Sequence, residues 1–237
     1  MKLLAIDCAA NLCAACVHDA DAGIELGRQV LDLGKGHAEH LMAVIEAALK
    51  AGGIGYQGLD AVAVSIGPGS FTGLRVGVST ARGLALALKI PAIGVTTLEA
   101  LAAEAANAFP GRAVLAALDA GREELHAALF DEALILTYGP GVATLSQATR
   151  MAVDAKAVLT GTAAPLIAAD TGPAVATADI ATYARLAAAK GPGAKPKPLY
   201  LRGTDAKPQA GFILPRRSHE SGKPGSGEDH APKGKKS

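Results

Sequence analysis

Two features of the sequence have the residue types and spacing to do chemistry. One is Asp7, which ends the short apolar run Lys2–Asp7. The other is the string Gly67-Pro68-Gly69-Ser70-Phe71-Thr72-Gly73, set between an apolar run and a helix-forming stretch. At a strand-to-helix junction the exposed backbone N–H groups and the helix dipole favour an anion. Gly67 and Gly69 can adopt positive φ and admit a close approach, while Ser70 and Thr72 are candidate N-caps. The string has neither the Gly-Lys-Ser/Thr ending of a P-loop nor the Gly-x-Gly-x-x-Gly dinucleotide spacing. A phosphate cradle and a structural tight turn fit it equally well.

Two other constellations imitate metal sites. Cys8, Cys13 and Cys16 echo part of an iron–sulfur spacing, but a fourth cysteine is missing from the sequence. On a strand, Cys13 and Cys16 point to opposite faces, so small buried hydrophobes are the better reading. His37-Ala38-Glu39 matches half of a zinc deaminase signature whose Pro-Cys-x-x-Cys half never follows. His37 and His40 lie three apart on a helix without further ligands to complete a site.

The elements that must position these residues alternate between strands and helices. Lys2–Asp7, Leu12–His18 and Gly23–Leu33 read as strands, and His37–Lys50 as a helix with apolar residues at helical spacing, ended by Gly52-Gly53. Leu59–Ile66 is a continuous apolar run, as expected for a parallel strand covered on both faces. A helix runs from the glycine string to Lys89, followed by a strand at Ala92–Val95 and a helix at Thr97–Asn107 capped by Thr96 or Thr97. Ala113–Leu118, Asp119 and Glu124–Phe130 then repeat the opening order of strand, Asp, turn, strand, and Leu134–Tyr138 reads as a further strand. A short apolar run follows at Ala157–Leu159. In the helix after the glycine string, Gly73, Gly77, Ala81 and Ala85 make a small-residue stripe. Apolar residues cover most of its other sides, so it is buried on more than one side.

Composition narrows the function. Half of the 237 residues are apolar and 19% are charged, which suits a folded body, and the formal net charge is +1. No body-wide basic field advertises nucleic acid, and eight Phe and Tyr residues without Trp argue against base stacking as a main activity. Three cysteines suit a reduced, cytoplasmic compartment, and no apolar stretch is long enough to span a membrane. Residues 206–237 hold seven Lys/Arg against three acids, with four Pro and five Gly, and read as a disordered basic tail.

The string Ile66-Gly67-Pro68-Gly69-Ser70-Phe71-Thr72-Gly73-Leu74-Arg75-Val76-Gly77 closely resembles the TsaB (YeaZ) family of bacterial tRNA threonylcarbamoyladenosine biosynthesis proteins. Leu4–Asp7, Gly36–Leu41, Ile90–Val95, Leu98–Leu101, Leu118–Ala120 and Pro198–Arg202 agree in order, so the resemblance covers residues 1–205. It implies an α/β, two-lobed actin-like (ASKHA) fold, each lobe a ribonuclease-H-like mixed sheet with helices. The lobes are expected at 1–108 and 109–205, with the tail at 206–237.

The resemblance also implies a role. Such a chain is a non-catalytic subunit that binds and activates TsaD, with TsaE joining them, and TsaD transfers threonylcarbamoyl to the adenosine beside the tRNA anticodon. The implied contact surface uses His40, Leu41 and Val44 on the first helix and Arg75, Gly77, Ala81, Arg82 and Leu84 on the second. A homodimer is expected in isolation, and tRNA is met indirectly through the complex. No intrinsic cofactor is expected; ATP or ADP at the complex interface would touch Asp7, Gly67, Gly69, Ser70, Thr72 and Gly73. TsaD-like catalytic relatives carry a metal-binding His pair where this chain has Thr96–Leu101, which implies no metal site here. Cys8-Ala9 and Ala38 stand where relatives usually carry Thr-Ser and Ser. The competing expectation is an autonomous ATPase or kinase using Asp7 and the Gly67–Gly73 loop. The basic tail could also contact tRNA phosphates at low salt.

Overall fold

Apolar runs separated by short turns build the chain into two sheets flanked by helices. The computed structural model describes residues 1–169, 171 and 174–201, so the expected tail at 206–237 lies outside the described residues. The first sheet comprises β1 (Lys2–Asp7), β2 (Leu12–Asp19), β3 (Ile24–Asp32), β4 (Ala61–Gly67) and β5 (Ala92–Thr96), in the order β3-β2-β1-β4-β5. β1 pairs antiparallel with β2 and parallel with β4, which in turn runs parallel to β5. Helices α1 (His37–Ala51), α2 (Phe71–Leu88) and α3 (Thr97–Ala108) connect and cover these strands.

The second sheet repeats the plan. β6 (Val114–Asp119), β7 (Glu124–Phe130), β8 (Leu136–Thr144) and β9 (Val158–Thr160) lie in the order β8-β7-β6-β9, with two antiparallel pairs and one parallel pair where the first sheet has two of each. α4 (Leu145–Asp154), α5 (Ala164–Ile167) and α6 (Ile180–Lys190) are the remaining helices among the described residues. The third strand of this sheet starts and ends later than Leu134–Tyr138. Gly139, at φ +80°, and Pro140 sit inside it, tolerated because β8 is an edge strand whose ladder is irregular there.

Residues Met1–Gly203 form one compact unit. Leu3 and Ala5 of β1, Leu98 and Leu101 of α3, Val114 and Ala116 of β6 and Tyr183 of α6 share a single buried cluster. No helix among the described residues is long and apolar enough to cross a membrane.

The β5–α3 junction shows how tightly local chemistry sets these ends. Thr96 Oγ1 accepts from Glu99 N at 3.1 Å and the Glu99 carboxylate accepts from Thr96 N at 3.0 Å, a reciprocal cap. Thr96→Ala should lower stability by about 1 kcal/mol, or about 2–4 °C in Tm for a chain of this size. Thr96→Ser should retain most of it in the same thermal melt.

Candidate functional site

The glycine string forms an elbow pressed against the β1–β2 turn. β4 leads into it with Gly67 at φ +98°, a conformation that excludes most side chains. Ser70, rather than Thr72, is the N-cap of α2: its hydroxyl accepts from Gly73 N at 3.2 Å, and Thr72 lies exposed in the first helical turn. The helix therefore begins at Phe71, earlier than the sequence suggests. Ser70 N donates to Ala9 O at 2.7 Å. A Cβ on Gly69 would stand 2.3 Å from Ala9 O, and one on Gly73 would stand 1.9 Å from Cys8 O. These glycines let the Cys8-Ala9 backbone lie against the helix start, so the approach they permit is already filled by the chain itself.

Asp7 sits at the end of β1 and is 1% exposed. Its Oδ1 accepts from Ala9 N at 2.8 Å and from the Ser65 hydroxyl of β4. Its Oδ2 accepts from Thr177 Oγ1 at 2.6 Å, and that hydroxyl is also 2.7 Å from the Tyr183 OH of α6. Burial pushes the Asp7 carboxyl up from its ordinary 3.8, and the hydrogen bonds from Ser65, Thr177 and Ala9 oppose that rise. Burial, reinforced by the Asp7 charge, also lifts the Tyr183 phenol well above its usual range. The carboxylate is thus enclosed by protein donors and ties β1, β4 and the approach to α6 together.

Asp119, at the end of β6, is its counterpart in the second sheet. Its Oδ1 accepts from Gly121 N at 2.7 Å, the same i to i+2 turn that Asp7 makes with Ala9. Unlike Asp7 it is exposed, and its N–H donates to Thr162 Oγ1 at 2.9 Å. A cleft of about 550 Å³ lies between the two turns, lined by Asn11, Gly69, Ser70, Asp119, His126 and Thr162 among others. Neither Lys nor Arg is among the described residues lining it, and Asp7 does not open onto it. On its own the lining offers little to the phosphates of a nucleotide.

The helix pair separates the residues expected at a partner face. Leu41 and Val44 of α1 and Ala81 of α2 are no more than 1% exposed. Gly77 is buried as well: a Cβ added there would stand 3.6 Å from Val64 of β4 and 3.7 Å from Cys8. The small-residue stripe therefore admits β4 and the β1 end rather than a second chain. His40, Arg75 and Arg82 are exposed and Leu84 is half-buried. α2 has two distinct flanks. Val76, Leu84 and Leu88 pack in the cluster that holds α1, whereas Phe71 and Arg75 meet Tyr200 of the closing segment.

The metal-like motifs resolve into structure. Cys8, Cys13 and Cys16 are free and buried; Cys13 and Cys16 enter clusters on opposite faces of the first sheet. Burial raises the Cys16 thiol to about 12, and the Cys8 thiol rises through its hydrogen bond to Cys13 together with burial. The His37 ring binds Leu12 O through Nε2 at 3.2 Å, seating the start of α1 on β2, and His40 is exposed. At the β5–α3 junction, Glu99 both caps the helix and pairs with Lys190 at 2.6 Å. Sequence reasoning missed Thr177 as a partner of Asp7, with Tyr183 behind it, and Tyr200 as a partner of Arg75. Their separations of 170 and 125 residues between direct contacts leave no local signal.

Two sheets of repeated ribonuclease-H-like order, each with an Asp-capped turn facing the cleft, define a protein of the actin-like class. A family model described as TsaD: tRNA N6-adenosine threonylcarbamoyltransferase matches residues 32–166, and the chain belongs to this family, on its TsaB (YeaZ) side. The tRNA threonylcarbamoyladenosine biosynthesis protein TsaB of Escherichia coli is 34% identical over 126 residues, 53% of this chain and 53% of that protein. The chain thus matches about half the length of that relative. An uncharacterized protein of Mycobacterium tuberculosis is 35% identical over 211 residues, 88% of this chain and 95% of that protein. Among solved structures, YeaZ from Pseudomonas aeruginosa has a TM-score of 0.66 at 27% identity, covering 84% of this chain and 99% of that one.

Proposed function

We propose that this chain is a non-catalytic subunit of a tRNA threonylcarbamoyladenosine synthesis complex, binding and activating a TsaD transferase in the cytoplasm. The observation that carries the reading is the enclosure of Asp7. The one carboxylate placed at the glycine elbow is engaged by Ser65, Thr177 and Ala9, which leaves it poorly placed to hold a nucleotide or act in catalysis. This weighs against an autonomous ATPase or kinase built on Asp7 and the Gly67–Gly73 loop. The likeness to TsaB proteins supports the pathway, and the matching TsaD family model supports a TsaD-associated role, with TsaE joining the two in this reading.

The docking face in this reading is the exposed side of α1 with the adjoining flank of α2, including His40, Met42 and Leu84. Met42 is 43% exposed, a large apolar side chain open to solvent. Without TsaD the same face pairs two copies of the chain. ATP or ADP is shared with the partner at the junction, since the cleft of this chain has no Lys or Arg in its described lining.

The test is depletion of the protein in its host, read by mass spectrometry of tRNA nucleosides. Threonylcarbamoyladenosine should fall sharply and return on complementation, while the purified chain alone should modify no tRNA. Normal nucleoside levels after depletion, or modification by the chain unaided, would sink the reading. Met42→Arg, at an exposed position, should fold normally yet weaken co-elution with TsaD at least tenfold.

A further inference from the structure

On the flank of α2 away from α1 lies a strip whose charge and rings no part of the proposed docking face uses. Arg75, Arg82 and Lys89 follow one another at seven-residue intervals, which keeps them on one side of the helix over about 21 Å. α2 contains no acidic residue, and neither does the segment 191–201. Lys195 joins Arg82 and Lys89 around a hollow of about 560 Å³ whose described lining holds no carboxylate. Among the described residues, Arg82, Lys89 and Lys195 have no ion-pair partner. A cationic strip kept free of counter-charges calls for a polyanion.

The end of the strip distinguishes between polyanions. Phe71 and Tyr200 are 46% and 42% exposed, with ring centroids 5.0 Å apart. Arg75 fixes them: its guanidinium lies 3.9 Å over the Phe71 ring and its Nε donates to Tyr200 OH at 3.0 Å. Few as the aromatics of this chain are, two of them stand together, open to solvent, at the head of a row of cations. Exposed rings beside a basic track take unpaired bases and backbone phosphates at once, a combination an acidic protein surface does not need.

We propose that this flank is an RNA-docking strip, with Phe71 and Tyr200 stacking an unpaired base and Arg82, Lys89 and Lys195 holding phosphates. The choice of RNA among polyanions rests on the function proposed above; the strip itself rests on charge and exposure.

The test uses the full-length protein and a fluorescein-labelled, unmodified tRNA transcript, followed by anisotropy at 50 and 200 mM KCl. The triple variant Arg82→Ala, Lys89→Ala, Lys195→Ala should bind at least tenfold more weakly at 50 mM and lower the log–log salt slope by about 2–3. Phe71→Ala should weaken binding about tenfold with the slope unchanged. All four positions are exposed, so matching thermal melts should confirm that the variants fold. No binding by the parent, or equal affinity and slope in the triple variant, overturns the strip. Unchanged binding by Phe71→Ala overturns the stacking and the case for RNA. Loss of TsaD co-elution with RNA binding intact would assign the strip to a protein instead. If depletion removes the modified nucleoside while the triple variant binds tRNA as the parent does, the strip alone falls. If depletion leaves the nucleoside unchanged, the proposed function falls whatever the strip binds.

Discussion

Gly73→Ala is expected to be one of the most damaging single substitutions in this chain, lowering stability by more than about 3 kcal/mol and Tm by about 10 °C. The added carbon would stand 1.9 Å from the carbonyl oxygen of Cys8. Carbon–oxygen contacts of this kind settle at about 3.3–3.6 Å, so helix and β1–β2 turn would have to part by more than about 1 Å. That movement would break the Ser70 N to Ala9 O bond and disturb the Ala9 N to Asp7 contact behind it. Two other glycines of the same helix calibrate the result. At Gly77 the new carbon meets Val64 at 3.6 Å, ordinary contact, and Gly77→Ala should be nearly neutral. At Gly83 it meets nothing within 4 Å, and Gly83→Ala should stabilise by about 0.4–1 kcal/mol through helix propensity and a less flexible unfolded chain. Urea denaturation of the three variants reads the order directly; equal stability of Gly73→Ala and Gly77→Ala would contradict the close backbone approach.

Asp7→Ala should cost about 3–5 kcal/mol, because it leaves the Ser65 hydroxyl and Ala9 N–H without their buried acceptor and deprives Thr177 of its shortest bond. The parent should also carry a pH signature. The Asp7 carboxyl is raised in the folded chain, so the folded state holds its proton more tightly than the unfolded state. This contribution is fully present below the ordinary 3.8 and is lost as pH rises through the higher folded value. Stability of the parent relative to Asp7→Asn should therefore fall as pH climbs from about 4 towards neutrality. Superimposable pH profiles for parent and Asp7→Asn would show that Asp7 carries no such linkage. Asp7→Asn should also remain more stable than Asp7→Ala, since the amide oxygen still accepts one or two of the same hydrogens.

What the sequence disclosed and what it withheld follow from range. The apolar run Ala61–Val64 declared β4 as an interior parallel strand, and the structure places it between β1 and β5. The opposite parity of Cys13 and Cys16 foretold their separation onto two faces. Thr96, one of two adjacent candidate caps, marked the start of α3 to within a residue. Each of these signals lies within a few residues. The glycine elbow was legible as a turn, but which hydroxyl caps the helix depended on where Ala9 lies, and Ala9 is 61 residues from Ser70. The small residues of α2 declared a close approach without saying to what, and Cys8 and Val64 turn out to occupy it. The enclosure of Asp7 needed Thr177, far along the chain and within no periodic pattern.

The buried cluster that runs from Leu3 through Leu98 and Val114 to Tyr183 joins the two sheets through shared apolar contacts. A cut between Ala108 and Val114 would bare greasy surfaces on both fragments, and each should clump rather than refold. The intact molecule should instead melt as one cooperative event, giving a single calorimetric endotherm. Its sheets are duplicated in pattern, yet they live and die together.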